Sequence, residues 1–259
     1  MESWKNQKSR TLSEPVSILL PVCNEAEGIE SIIAEFVEVV YRHVPEGSEF
    51  LINEGGSTDG TKEILRELNK RWPFLNIDYK EKKEGFAKAA IQLYRRSSCP
   101  LLFFADSDGQ CVASEFWKLA GLIQDHDFVL GVKKIHYDPF VRRVASRNFN
   151  AISRLLFGFQ FRDINFGFRL SRREALLKTL DRAHYMPTLL NAELTILAYC
   201  MGYRLCEIQV HHRPRIYGMS RGLVPNSVPS ESWRAFKALI GLWREASRLK
   251  AAAAQRTGS

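Results

Sequence analysis

Leu101-Leu102-Phe103-Phe104-Ala105-Asp106-Ser107-Asp108-Gly109-Gln110 is an apolar run that ends abruptly in two carboxylates one residue apart, with an amide two residues further on. Leu101 to Ala105 reads as a buried strand. A strand that delivers Asp-x-Asp to its C-terminal end places hard oxygen ligands where an open α/β sheet binds its ligands. Mg²⁺ or Mn²⁺ takes one or two such carboxylates and completes its shell with water and substrate phosphates. The stretch therefore points to a metal-assisted site for a nucleotide diphosphate compound. Read alone, it is more readily a polar turn, because Asp, Ser and Gly are turn formers. Its company in the chain decides between the two.

Upstream, Val16 to Val22 is a short β-branched run with Pro21 near its end, followed by the loop Asn24-Glu25-Ala26-Glu27-Gly28. Ile29, Ile32, Ile33, Phe36, Val37 and Val40 then recur at helical spacing. Glu49 to Ile52 is a second strand that ends in Asn53-Glu54-Gly55-Gly56-Ser57-Thr58-Asp59-Gly60-Thr61, with a helix starting near Thr61. Strands are also expected at 75–79, 128–132, 166–170 and 205–211, and helices at 86–96, 116–122, 140–157, 173–180 and 189–201. Alternating strands and helices predict βαβ units and a mostly parallel central sheet flanked by helices, with the polar and Gly-rich loops at the strands' C-terminal ends.

Composition narrows the classes. The 259 residues are 45% hydrophobic and 25% charged, which suits a globular protein with a real core. No apolar run approaches the ~18 residues needed to span a bilayer. Residues 1–14 are polar, lack the apolar centre of a signal peptide and are expected to be a loose tail. Cys23, Cys99, Cys111, Cys200 and Cys206 are odd in number and lack metal-site spacing, so reduced thiols in a cytoplasmic protein are expected. The net charge of +8 and pI of about 9.3 invite anionic partners. Nucleic acid is not expected, because its recognition motifs are absent and the basic residues cluster around the presumed phosphate site. Six Lys or Arg against two Glu fall between Glu231 and Ser259.

Five segments in order resemble the inverting family 2 glycosyltransferases. Val16 to Glu25 is similar to their opening strand and Pro-x-x-Asn-Glu loop. Glu54-Gly55-Gly56-Ser57-Thr58-Asp59-Gly60-Thr61 resembles their Asp-Asp-Gly-Ser-x-Asp-Gly-Thr loop. Asp106-Ser107-Asp108-Gly109-Gln110 matches the Asp-x-Asp-x-Gln metal motif, and Asp163-Ile164-Asn165-Phe166-Gly167-Phe168-Arg169-Leu170 the acceptor-side Asp-x-x-x-Gly-Phe-Arg-Leu segment. Arg215-Ile216-Tyr217-Gly218-Met219-Ser220-Arg221 is similar to the Arg-x-x-Gly-x-Ser-Lys signature of the polyprenyl-phosphate sugar transferases, the dolichol-phosphate mannosyltransferase group.

The resemblance covers roughly residues 15–222. It implies the GT-A fold, Rossmann-like, with a UDP- or GDP-linked nucleotide sugar as donor and Mg²⁺ or Mn²⁺ as cofactor. Asp106, Asp108 and Gln110 would hold the metal. Pro21, Cys23, Glu25, Glu54, Ala105, Asp106 and Lys133 would line the donor, with Glu25 and Glu54 on the nucleoside. Arg215 and Arg221 would stabilise the leaving diphosphate. A first-turn acid favoured by the helix dipole is the plain alternative for Glu25, and a solvated strand-end lysine the one for Lys133. Asp163 stands as a general base, as an orienter of Arg169 or as a turn cap. Two departures stand out: Gly55 replaces an Asp, and Arg221 replaces a Lys, which keeps charge but not geometry. Gly55 also motivates a reading as a lapsed homologue that binds a nucleotide sugar without turnover. His211-His212 is no metal pair, because adjacent strand residues face opposite ways.

The implied acceptor is a lipid phosphate at the cytoplasmic face of the membrane, with a soluble sugar or small molecule as the alternative. Trp233, Phe236, Ile240 and Trp243 recur at three- and four-residue spacing among Arg234, Lys237, Arg244, Arg248 and Lys250. Such a basic amphipathic helix suits a membrane interface, or packs on the domain. The expected organisation is a tail at 1–14, a catalytic domain at 15–225, and a basic amphipathic helix with a disordered tail at 226–259. A homo-oligomer is left open.

Overall fold

A computed structural model describes residues 12–133, 140–214 and 228–257. Seven strands form one sheet: β1 (Val16–Val22), β2 (Glu49–Glu54), β3 (Leu75–Tyr79), β4 (Leu101–Ala105), β5 (Phe128–Lys133), β6 (Phe168–Arg172) and β7 (Leu205–Val210). Their spatial order is β3-β2-β1-β4-β6-β5-β7. All pairings are parallel except those of β6, which runs antiparallel to both β4 and β5. The helices are α1 (Ile29–Val39), α2 (Thr61–Arg71), α3 (Phe86–Arg96), α4 (Phe116–Ala120), α5 (Phe140–Phe157), α6 (Arg173–Leu180), α7 (Leu190–Cys200) and α8 (Val228–Thr257).

Strands β1 and β4 are almost wholly apolar, as suits strands covered on both faces. On β1, Val16, Ile18, Leu20 and Val22 join one core cluster while Leu19 enters the opposite one. On β4, Leu101, Phe103 and Ala105 face the first, and Leu102 and Phe104 the second. The first cluster takes Ile29, Ile32, Ile33, Phe36 and Val37 of α1, whose helical spacing sets one apolar face on the sheet. The second takes Ala90, Leu93 and Tyr94 of α3 with residues of α6 and α7. A third cluster joins α5, α7 and α8 through Phe157, Ile196, Leu197, Leu239 and Leu242.

The chain steps outward from β1 to β2 and β3, then returns to place β4 on the other side of β1. That reversal is a topological switch point, where the loops after two neighbouring strands diverge and leave a crevice. The loops after β1 and β4 are the Asn24-Glu25 and Asp106-Ser107-Asp108 segments. Because β6 is antiparallel, its beginning meets the end of β4: Phe168 pairs with Ala105. The sheet edge that carries Asp-x-Asp thus also receives the Asp163–Gly167 segment.

Leu12 is buried in the first core cluster, and Glu14 pairs with Arg172. The last residues of the expected tail therefore belong to the domain, and residues 1–11 lie outside the described residues. None of the five cysteines is in a disulfide.

Candidate active site

The loops after β1 and β2 are stitched together by motif residues. Asn24 adopts a left-handed φ of 53°, a conformation Asn tolerates better than most residues. Its amide N–H donates to the Ser57 hydroxyl at 2.7 Å, and its side-chain oxygen accepts from the Thr58 amide at 2.7 Å. The Glu25 amide donates to the Thr61 hydroxyl and the Ala26 amide to Asp59. Asn24, Ser57, Asp59 and Thr61 thus hold the site's frame. Burial pushes the Asp59 carboxyl up, but hydrogen bonds from Thr61 and the Ala26 amide outweigh this and leave it below its ordinary value.

Glu54 is fully buried. Its carboxylate accepts from the Ser57 amide at 2.6 Å and the Gly56 amide at 3.3 Å, with the Lys62 ammonium 3.7 Å away. A group enclosed in this way shapes the loop from within. Its oxygens meet loop amides, because a chain turning sharply after β2 must satisfy its own N–H groups. Gly56 explains the turn. Its φ is +80°, and a Cβ there would lie 2.3 Å from the Lys82 carbonyl carbon, so the 80–84 segment crosses directly over it. Gly55 is different. A Cβ there would meet only ordinary contacts, 3.4 Å from the Val22 carbonyl and 3.5 Å from the Cys23 Cβ. The lost carboxylate is therefore not forced by sterics.

Asp106 and Asp108 are partly exposed at the end of β4. Ser107 is turned inward between them, its hydroxyl donating to the Pro21 carbonyl at 2.7 Å, which ties the β4 loop to the β1 loop. Asp108 accepts from the Gln110 amide at 3.0 Å. The Gln110 side chain donates to the Arg213 carbonyl at 3.4 Å, so its amide is directed toward the segment after β7. Cys111 is buried beside these acids. Burial, reinforced by the negative charge of Asp106 and Asp108, pushes its thiol well above its ordinary range, while Lys133 pulls the other way. Lys133 and both acids thus converge on one neighbourhood, and the Lys133 ammonium lies 5.1 Å from the centroid of the Phe166 ring.

Gly167 bears directly on Asp106. A Cβ at this position would sit 2.5 Å from both carboxylate oxygens. Only a bare Cα leaves that carboxylate its place. Arg169 fixes the same segment from below. It is buried and donates to the Ile164 and Phe166 carbonyls, the Asn191 carbonyl and the Thr195 hydroxyl, all neutral oxygens. Burial lowers its guanidinium from the ordinary value, and Tyr94, Asp163 and Asp106 oppose that shift. Asp163 accepts from the Asn165 amide at 3.3 Å, a turn cap, and its own amide donates to Glu207. Asn165 accepts from the Ala192 amide in the first turn of α7.

The chemistry of the donor set fits a divalent cation that the substrate helps to bind. Among the described residues no three His, Cys, Asp or Glu gather in a metal-binding arrangement. Two hard carboxylates at a switch point, one in a cradle that a single Cβ would fill, suit an ion that keeps waters and binds substrate phosphates. They do not suit a closed protein cage. His211 and His212 divide as expected: His211 is exposed and meets Glu115 at 3.1 Å, while His212 is buried with its ring edge-on to Phe166. Arg215 and Arg221 lie outside the described residues.

The sequence reading missed Arg213. It clamps the Asp106–Gln110 loop by donating to the Gly109 carbonyl at 2.5 Å and to Glu35 on α1. It also missed Glu193, a buried carboxylate that accepts the amides of His184, Tyr185 and Met186, each at 2.7 Å. The signal for Gly167 was present, since an isolated Gly entering a strand marks close approach of another group. A groove of about 770 Å³ opens between the start of α3 and the loop before α7, lined by Gly85, Phe86, Lys88, Pro187 and Thr188 among others.

A family model described as glycosyl transferase family 2 matches residues 17–180. The chain belongs to that family. Among relatives, it is 27% identical over 211 residues to an undecaprenyl-phosphate 4-deoxy-4-formamido-L-arabinose transferase from Yersinia enterocolitica, covering 80% of this chain and 62% of the relative. It is 27% identical over 219 residues to the transferase of the same name from Yersinia pestis, covering 82% and 64%. The chain thus spans less than two thirds of the length of either relative. The fold is GT-A, shared with glucosyl-3-phosphoglycerate synthase from Mycobacterium tuberculosis in complex with Mn²⁺, UDP and phosphoglyceric acid (TM-score 0.67, 19% identity, 89% of this chain and 79% of that one). A mannosyltransferase from Pyrobaculum calidifontis in complex with GDP-mannose and Mn²⁺ also shares it (TM-score 0.59, 17% identity, 98% and 84%). Family 2 membership accounts for the order of the motifs along the chain.

Proposed function

We propose that this family 2 member transfers a sugar from a UDP- or GDP-linked donor to a polyprenyl phosphate, using Mg²⁺ or Mn²⁺, at the cytoplasmic face of the membrane. The observation that carries the reading is the pair Asp106 and Asp108 at the switch point, with Asp106 seated against Gly167. The names of the Yersinia relatives support the lipid-phosphate acceptor, and the bound ligands of the two structural neighbours support donor class and metal.

Asp106 and Asp108 would hold the cation, which neutralises the leaving diphosphate as the glycosidic C–O bond breaks. Pro21, Cys23, Glu25 and Ala105 line the donor side of the crevice in this reading. Lys133, with Arg215 and Arg221, contributes positive charge to the departing nucleoside diphosphate. An oxygen of the acceptor phosphate forms the new bond to the anomeric carbon from the face opposite the leaving group, inverting it. That oxygen is already anionic, so the reaction needs no strong base. Asp163 then serves the loop, and acts as a base only for a neutral hydroxyl acceptor. Gln110 orders the metal loop through Arg213. The outward face of α8 brings the chain to the lipid.

The test is a thermal-unfolding screen of UDP-, GDP- and other nucleotide sugars with Mg²⁺ or Mn²⁺. Specific binding to the native state raises Tm by mass action. One donor class should stabilise the chain in a metal-dependent way. Equal response with and without chelator, or no response to any nucleotide sugar, refutes the reading.

A further inference from the structure

We propose that α5 and α8 together form one docking surface for a bilayer that contains anionic lipid. The proposal deepens the lipid-phosphate reading, but its observations are independent of it. On α5, Val144, Ile152 and Leu155 are exposed, Leu155 to 86%. Their spacing of eight and three residues puts them on one helical face. The other face is inward: Asn150, Ser153 and Phe157 are buried. On α8, Trp233, Phe236, Ile240 and Trp243 are exposed, Trp233 to 58%, while Leu239, Leu242 and Ala246 are buried. The inward faces of both helices share the third core cluster. Each helix therefore spends one side on the domain and presents a second apolar side outward. A chain with no use for that side would carry polar residues there.

Charge selects the occupant. α5 carries Arg143, Arg147 and Arg154 and no acidic residue. α8 mixes Lys237, Arg244 and Arg248 into its outward face, and the Lys237 ammonium lies 5.2 Å from the Trp233 ring centroid, beside a stacked Trp233–Phe236 pair. Apolar and aromatic groups with cations alongside match an interface where rings enter the headgroup boundary and cations stay at its anionic surface. A second copy would bring cation against cation, which opposes pairing through this face. No helix among the described residues is long and apolar enough to cross a membrane. The surface also borders the site. Asn150 of α5 accepts from the Ile164 amide at 3.2 Å, within the loop that ends in Gly167 against Asp106.

The experiment is co-sedimentation of the full chain with phosphatidylcholine vesicles, with and without phosphatidylglycerol, at low and high salt. Leu155→Glu with Ile152→Ser disables α5, and Trp233→Ser with Trp243→Ser disables α8. Each pair should lower partitioning to anionic vesicles by about tenfold or more, with unchanged thermal unfolding and unchanged Mn²⁺-dependent nucleotide binding. High salt should weaken wild-type binding by about fivefold for each cation whose attraction to the lipid it screens. Unaltered binding by the α5 variant would assign docking to α8 alone and overturn the proposal. So would absence of wild-type binding at low salt, or a concentration-dependent dimer that Leu155→Glu dissolves. Intact vesicle binding without transfer to polyprenyl phosphate sinks the acceptor reading and leaves this surface standing.

Discussion

Gly167→Ala adds one methyl group, and its effect follows from a single contact. The new Cβ would stand 2.5 Å from both Asp106 carboxylate oxygens and 2.6 Å from the carbon between them. Gly167 is not among the residues with positive φ, so the backbone itself accepts alanine. The clash must be relieved by motion. Phe168 is paired with Ala105 across β6 and β4, and Arg169 holds the Phe166 carbonyl at 2.9 Å, so both backbones are anchored. The carboxylate gives way by roughly 1 Å, far outside the ~0.2 Å tolerance of a metal–oxygen distance. Partial exposure lets Asp106 swing outward cheaply, so the fold survives with a loss of about 1–2 kcal/mol. Mn²⁺ affinity should fall about 10–100-fold, and the rate at saturating metal by about 100-fold. Mn²⁺ titration by electron paramagnetic resonance, in the presence of UDP or GDP, reads the first directly. Parental Mn²⁺ affinity and rate in a folded Gly167→Ala variant would refute the argument that this contact sets Asp106.

Asp108→Ala should abolish metal-dependent turnover with the thermal transition intact, and full activity in excess chelator would contradict it. Glu193→Gln places an NH₂ group against three backbone amides and should cost about 2–4 kcal/mol in urea unfolding, so an unchanged midpoint would remove its anchoring role. The Asp59 carboxyl titrates below its unfolded value, so its stabilisation is present above the unfolded pKa and is lost as pH falls through the folded pKa. Asp59→Asn should therefore lower Tm at neutral pH and narrow the gap to the parent in acid, and a gap that widens in acid would reverse the sign. Gly55→Asp puts its Cβ in ordinary contact and should change nucleotide preference in the thermal screen, whereas an unaltered ranking in a folded variant would place Gly55 away from the nucleoside.

Much of this architecture was legible in the residues. Val16–Val22 and Leu101–Ala105 were readable as central strands because both are apolar on successive residues and stop at polar loops. His212 is buried and His211 exposed just beyond β7, as alternation along an extended chain led one to expect. The direction of β6 was not legible, since hydrophobic pattern does not encode parallel or antiparallel pairing. That direction is what brings Gly167 to Asp106. The part Glu54 plays in ordering its own loop was not legible, because a motif does not show that its oxygens accept the Ser57 and Gly56 amides. Arg213 and Glu193 escaped notice because their value lies in contacts to residues about 100 positions away or to backbone amides, which no local pattern reports.

The most direct test of the central claim is transfer of labelled sugar from its nucleotide donor into a lipid extract, with polyprenyl phosphate in anionic vesicles and Mn²⁺ or Mg²⁺ present. The account predicts a metal-dependent lipid product, lost with Asp108→Ala and with chelator. Label that enters only a water-soluble acceptor, or lipid product that persists in chelator, would contradict it.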